Sequence, residues 1–207
     1  MISYYRKNNF YSHIPAFTKN LLIINLIVWL ACLLFKQLEF YLALFNYDSG
    51  YFHAYQLITY MFTHADFDHI FFNMLALFMF GGVLENFWGK KRFLTYYMVT
   101  GIGAGLVQLL VCHLQGIMYP VPTIGASGAI FGLLLAFGML FPDTPLFLMF
   151  IPVPIKAKYM VIGYGLIEFF FGVANRTGDN VAHFAHLGGM LFGIILILCW
   201  GKKQYYR

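Results

Sequence analysis

The sequence predicts an all-α polytopic membrane protein: a single domain over residues 1–207 with six transmembrane helices and both termini in the cytoplasm (N-in/C-in). Three observations predict it. Of 207 residues, 61% are apolar and 10% charged, against about 45–50% and about 25% in soluble domains; that leaves too little polar surface to coat a water-soluble globule. Apolar stretches suited to a membrane span recur along the chain. The basic residues fall between those stretches on alternating sides. With the amino terminus inside, the cytoplasmic segments carry Arg6, Lys7, Lys19, Lys90, Lys91, Arg92, Lys156, Lys158, Lys202, Lys203 and Arg207, and the outer segments carry Lys36 and Arg176, eleven against two. This is the positive-inside asymmetry, and adding or dropping one span destroys it.

The spans read Phe17–Phe35, Ile70–Leu84, Phe93–Leu114, Ser127–Phe141, Tyr159–Val173 and Val181–Trp200. MISYYRKNNF shows no cleavable signal, so the first apolar run is expected to serve as the insertion signal. Lys36–His69, rich in Tyr and Phe, is expected to be ordered in the interface rather than to span. The fourth span is short, about 22 Å at 1.5 Å per residue, against a hydrocarbon core of about 30 Å. Pro142 and Asp143 stop it on the inside, so its outer end and the preceding GIMYPVPTIGA lie below the outer surface. Irregular backbone at that depth requires protein or a water-filled cavity around it, which predicts a wet pocket open to the outside at Ser127. Thr144–Ile155, apolar and proline-rich, reads as an interfacial cytoplasmic loop. No internal repeat suggests the paired broken helices of a transporter.

The net charge of +5 is dispersed in small groups, so no nucleic-acid partner is expected. Cys32, Cys112 and Cys199 lie in apolar runs with no disulfide or CxxC pattern. A metal site built on His64, His69, His183 and His186 lacks an H-E-x-x-H spacing, and neither metal nor cofactor is expected.

Ser127, within Gly125-Ala126-Ser127-Gly128-Ala129, stands at the start of the short span. Unpaired N–H groups and the positive end of the dipole are found there, the donors a developing oxyanion needs. A serine N-cap between packing glycines is the plain alternative. His186 stands at similar depth at the start of the sixth span, which runs in the same direction. Gly128 and Gly132 on one span, and Ala185, Gly189 and Gly193 on the other, recur every four residues and allow close helix packing. That brings Ser127 and His186 within hydrogen-bond reach. His69 and Asn73 share one helix face at the same level and are suitable oxyanion donors, or otherwise an interhelical polar contact. Glu168, costly in lipid, lines the cavity or bonds a neighbouring helix.

The blocks FTHA (62–65) through HIFFNM (69–74), then GASG (125–128), then AHLGG (185–189), in that order, resemble the rhomboid family of intramembrane serine proteases over essentially the whole chain. The resemblance implies a rhomboid-like bundle in a bacterial inner membrane, acting as a serine endopeptidase on single-span membrane proteins amid membrane lipid. It implies Ser127 as nucleophile and His186 as base with no third acidic member. His69, Asn73 and the Ser127 N–H would form the oxyanion hole, with Phe131, Gly125, Gly128 and Gly189 supporting the dyad. It makes His183 a companion of the histidine motif and Glu85 structural. A Trp-Arg pair common in the family's first loop is replaced by Tyr55-Gln56. Substrate access is expected past the fifth span. The alternative is a catalytically inactive rhomboid-like protein that binds membrane helices.

Overall fold

The computed structural model describes residues 14–148, 151–174 and 181–201. Arg6, Lys7, Arg176, Lys202, Lys203 and Arg207, which enter the charge asymmetry, lie outside them. Six apolar helices form the body: α1 (Ala16–Leu34), α2 (Phe67–Trp88), α3 (Lys90–Leu114), α4 (Ser127–Leu140), α5 (Ala157–Ala174) and α6 (His183–Trp200). Five have the length and hydropathy of membrane spans, and α4 is the short one. The second helix is longer than the apolar run implied. It begins at Phe67, where the Asp66 carboxylate caps the first turn by accepting from the His69 N–H at 2.7 Å. It continues through one π turn at Leu77–Gly81.

The helix α4 is central. From Gly128 to Gly138 every side chain except Phe131 is buried, and it packs against α2, α3, α5 and α6. At 14 residues it is about 21 Å long. Small residues let its neighbours close in. A Cβ added at Gly189 would fall onto the Gly128 carbonyl, so the α4 and α6 backbones touch there. Gly132 serves a different neighbour from the one its spacing suggests: its added Cβ would meet the Thr100 side chain of α3 at 2.7 Å. Gly193 faces Tyr96 of α3 and Leu135 of α4. The small-residue stripe of α4 is therefore divided between α6 and α3.

Between α1 and α2 the chain is ordered as short helices (Lys36–Leu42 and Gln56–Thr59) and irregular segments. Gln56, set by the resemblance against the arginine of the Trp-Arg pair, anchors this loop. Buried, its Oε1 accepts from the N–H of His53 (3.1 Å) and of Phe45 (3.4 Å), and its Nε2 donates to Tyr51 O (3.1 Å). A short antiparallel pair, β1 (Leu44–Phe45) with β2 (Pro122–Thr123), joins this loop to the segment before α4. Asn46 strengthens the joint, donating to Ile117 O at 2.7 Å and accepting from Val121 N–H at 3.0 Å.

The loop expected at Thr144–Ile155 is instead a β-hairpin, β3 (Pro145–Leu148) with β4 (Ile151–Lys156). The expected helical bundle thus carries, among the described residues, two small two-stranded sheets. In IPVPIK two of six residues lack an N–H, which suits a strand paired on one side only. Asp143 beside this hairpin is bonded to Lys158 (2.9 Å) and Lys156 (3.1 Å), whose ammonium groups hold its carboxyl below the usual carboxylate range.

Glu85 ties the second span to the first. Its buried carboxylate accepts from Thr18 N–H (2.7 Å), Phe17 N–H (3.0 Å) and the Thr18 hydroxyl (2.9 Å), capping the amino end of α1. Glu85→Ala leaves those donors unpaired, at about 1–3 kcal/mol for a buried group. Thermal unfolding in detergent should show a lower midpoint for Glu85→Ala, and a smaller drop for Glu85→Gln, which keeps an acceptor.

Candidate active site

Ser127 opens α4, but it does not cap it. The N-cap is Ala126, and no side-chain capping hydrogen bond is formed there among the described residues. The Ser127 Oγ lies 2.7 Å from His186 Nε2. Two features aim it. The turn before it depends on Gly125 at φ +117°, which strongly favours glycine, and the Gly125 N–H donates to Tyr60 O at 2.9 Å. The first loop thus fixes the approach to Ser127 through β1–β2, Asn46 and Tyr60. Tyr60 is itself held by its hydroxyl, which donates to Gly101 O at 2.6 Å. None of these contacts carries a sequence motif.

His186 lies in the first turn of α6, buried at 8% exposure. Phe131, one turn beyond Ser127, stacks on it with centroids 4.3 Å apart and planes 8° from parallel. A carboxylate also stands beside His186, contrary to the two-member arrangement that the resemblance implies. Glu168 of α5 places Oε2 2.8 Å from His186 Nδ1 and 2.7 Å from His183 Nδ1. The sequence leaves Glu168 open between lining the cavity and bonding a neighbouring helix. Of those two roles, the structure selects the bond to a neighbouring helix. Glu168, His183 and His186 have ligand-type atoms within 4.8 Å of one another, and the two His–Glu separations are hydrogen-bond lengths.

His69 and Asn73 reach the same place from α2. A Cβ added at Gly125 would come 2.7 Å from His69 Nε2 and 3.7 Å from Ser127 Oγ, so a glycine leaves the imidazole room beside the serine. Asn73 is buried, and its Nδ2 donates to His69 O at 2.7 Å. The amide carries two N–H groups, and that bond uses one. His64 packs edge-on to His69, centroids 5.0 Å apart. Burial pushes its pKa down to about 3, so it is neutral at physiological pH.

A cavity of about 400 Å³ reaches Ser127 from the side. Asn73 and Met79 of α2, Phe131 of α4, Phe147 of β3 and Tyr164 of α5 are among its walls. Both α2 and α5 pack on α4 but make at most marginal contact with each other. Where the sequence predicts a wet pocket open to the outside, the cavity at Ser127 is a mostly apolar groove between α2 and α5 whose polar groups include Ser127 and Asn73.

The family model described as "Rhomboid domain" matches residues 51–203. Rhomboid protein 1, mitochondrial, of Saccharomyces cerevisiae is 35% identical over 140 residues, 65% of this chain and 38% of the yeast protein. The putative rhomboid protease YdcA of Bacillus subtilis is 32% identical over 152 residues, 72% of this chain and 69% of that protein. RHOMBOID-like protein 12, mitochondrial, of Arabidopsis thaliana is 29% identical over 187 residues, 84% of this chain. The chain spans 53% of the Arabidopsis protein, so it matches about half or less of the length of that relative and the yeast one. With its apolar helices and this domain the protein is an integral membrane protein, and it belongs to the rhomboid family.

Proposed function

We propose that the protein is an intramembrane serine endopeptidase that cleaves single-span membrane proteins. The observation that carries this reading is the 2.7 Å contact between Ser127 Oγ and His186 Nε2 at the head of a short buried helix beside a lateral groove. His186 Nε2 takes the Ser127 proton as Oγ attacks the scissile carbonyl carbon. The tetrahedral oxyanion is met by the Ser127 N–H, His69 and Asn73. His186 then returns the proton to the leaving amine as the C–N bond breaks. A water molecule, deprotonated by His186, attacks the acyl-enzyme and frees a carboxylate and the serine hydroxyl.

The substrate arrives from lipid. A transmembrane helix seals its own N–H and C=O groups, so it must unwind locally before Ser127 can reach a carbonyl. Segments with small or helix-breaking residues near the interface are the expected substrates. The gap between α2 and α5 suits that lateral approach. The basic-residue asymmetry supports the N-in, C-in orientation, and a Bacillus relative matched over 69% of its length supports a bacterial cytoplasmic membrane as the location. A non-catalytic relative would need neither a serine nor a histidine here, and both are present in bonding contact.

The test is cleavage of a model single-span substrate in liposomes, with labelling by a serine-directed fluorophosphonate. Both should survive a chelator. Absence of cleavage and labelling together would favour helix binding without chemistry. Asn73→Ala should raise the barrier by about 2.7–4 kcal/mol if its amide donates to the oxyanion. Turnover measured at saturating substrate checks this, and an unchanged rate assigns Asn73 to packing.

A further inference from the structure

We propose that Glu168, itself held by His183, is a positioning residue that fixes the tautomer and rotation of His186. This rests on reading Ser127 and His186 as the catalytic pair. Phe131 alone cannot do this. Stacking sets the plane of the imidazole, but turning the ring by 180° about Cβ–Cγ keeps that plane. The turn exchanges Nδ1 with Cδ2 and Nε2 with Cε1, which presents a carbon to Ser127. The Glu168 carboxylate distinguishes the two. With Oε2 at 2.8 Å from Nδ1, the favourable state has Nδ1–H donating to the carboxylate. Nε2 then keeps its lone pair for the Ser127 proton.

The carboxylate is fixed in turn. His183, one helical turn before His186, donates from Nδ1 to the same Oε2 at 2.7 Å. Its ring is stacked on Phe171, centroids 5.7 Å apart and planes 19° from parallel. Gly172 lets α5 approach closely: a Cβ there would come within 3.2 Å of His183 Cβ and of the Phe184 ring. Glu168 is 8% exposed, and a buried carboxylate among apolar helices is retained at a cost. Two imidazoles from the neighbouring helix, both bonded to one of its oxygens, give that cost a purpose. A neutral amide in the equivalent place of a serine protease selects the wrong tautomer, which makes Glu168→Gln the informative change.

Three readouts on the full-length chain in detergent test the proposal. Glu168→Gln should lower kcat by at least about tenfold and by no more than the 10²–10⁴ that a positioned base contributes, with KM for the single-span substrate changed by less than about twofold. Glu168→Asp should recover part of the loss. Nitrogen NMR of the histidine-labelled wild type, with His186→Ala to assign the signal, should show His186 protonated on Nδ1, and Glu168→Gln should lose that preference. Wild-type kcat in Glu168→Gln, or a wild-type His186 protonated on Nε2, would overturn the proposal. If the wild type neither cleaves nor labels, the protease reading fails, while the tautomer still decides the role of Glu168. If Glu168→Gln does not fold, the wild-type spectrum and Glu168→Asp decide it.

Discussion

Ser127→Ala is expected to abolish cleavage and fluorophosphonate labelling while leaving the fold intact. Elsewhere, removing a serine nucleophile costs about 10⁶ in turnover, which would put the variant below detection. The structural cost is small because the Ser127 side chain caps nothing. Its described hydrogen bond is the one to His186, a loss of about 0.5–1.5 kcal/mol, offset in part by the better helix propensity of alanine. Thermal unfolding should therefore nearly superimpose on that of the wild type. Residual labelling at the wild-type rate would mean that another nucleophile reacts, and the proposed chemistry would be wrong.

The second large effect is expected from a methyl group. Gly189→Ala adds a Cβ that must occupy the place of the Gly128 carbonyl. Backbone, not a flexible side chain, stands in the way, so α6 has to move off α4. Overpacking of this kind costs typically about 1–3 kcal/mol. The same displacement separates His186 from Ser127, since each lies within three residues of the contact. A misplacement of about 1 Å can cost on the order of 10²-fold in rate. Turnover should fall by about that factor, with a lower thermal midpoint. Gly163→Ala is the matched control on α5: its added Cβ meets nothing within 4 Å, and both stability and rate should hold.

Much of this geometry is legible in the sequence because membrane spans, charge asymmetry and small-residue spacing are local signals. The apolar runs fall on the six apolar helices, and the alignment of Ser127 with His186 follows from two spans expected to run in the same direction. What stays hidden depends on contacts between distant residues. Glu168 is one carboxylate in an apolar run, and nothing in the run tells which helix it faces. The spacing of Gly128 and Gly132 is the same whether they meet one neighbour or two. The second span's start at Phe67 rather than at the apolar boundary turns on a cap by Asp66. The hairpin at Pro145–Lys156 reads as a loop because its prolines mask the strand pattern. The anchoring role of Gln56 comes from backbone groups of the loop that it bonds, which no motif encodes.

The central place of α4 has a consequence for how the chain is made. Ser127 and His186 are 59 residues apart, so at synthesis rates of about 5–20 residues per second the fourth helix waits roughly 3–12 s for the sixth. During that interval a helix too short to rest comfortably in the bilayer has its glycine-lined flank uncovered. Its earlier-made neighbours α2 and α3, joined by α5 as that helix follows, are the native partners that can shelter it before α6 arrives. On the proposed reading, the nascent chain therefore lacks its base until the sixth helix has joined the bundle.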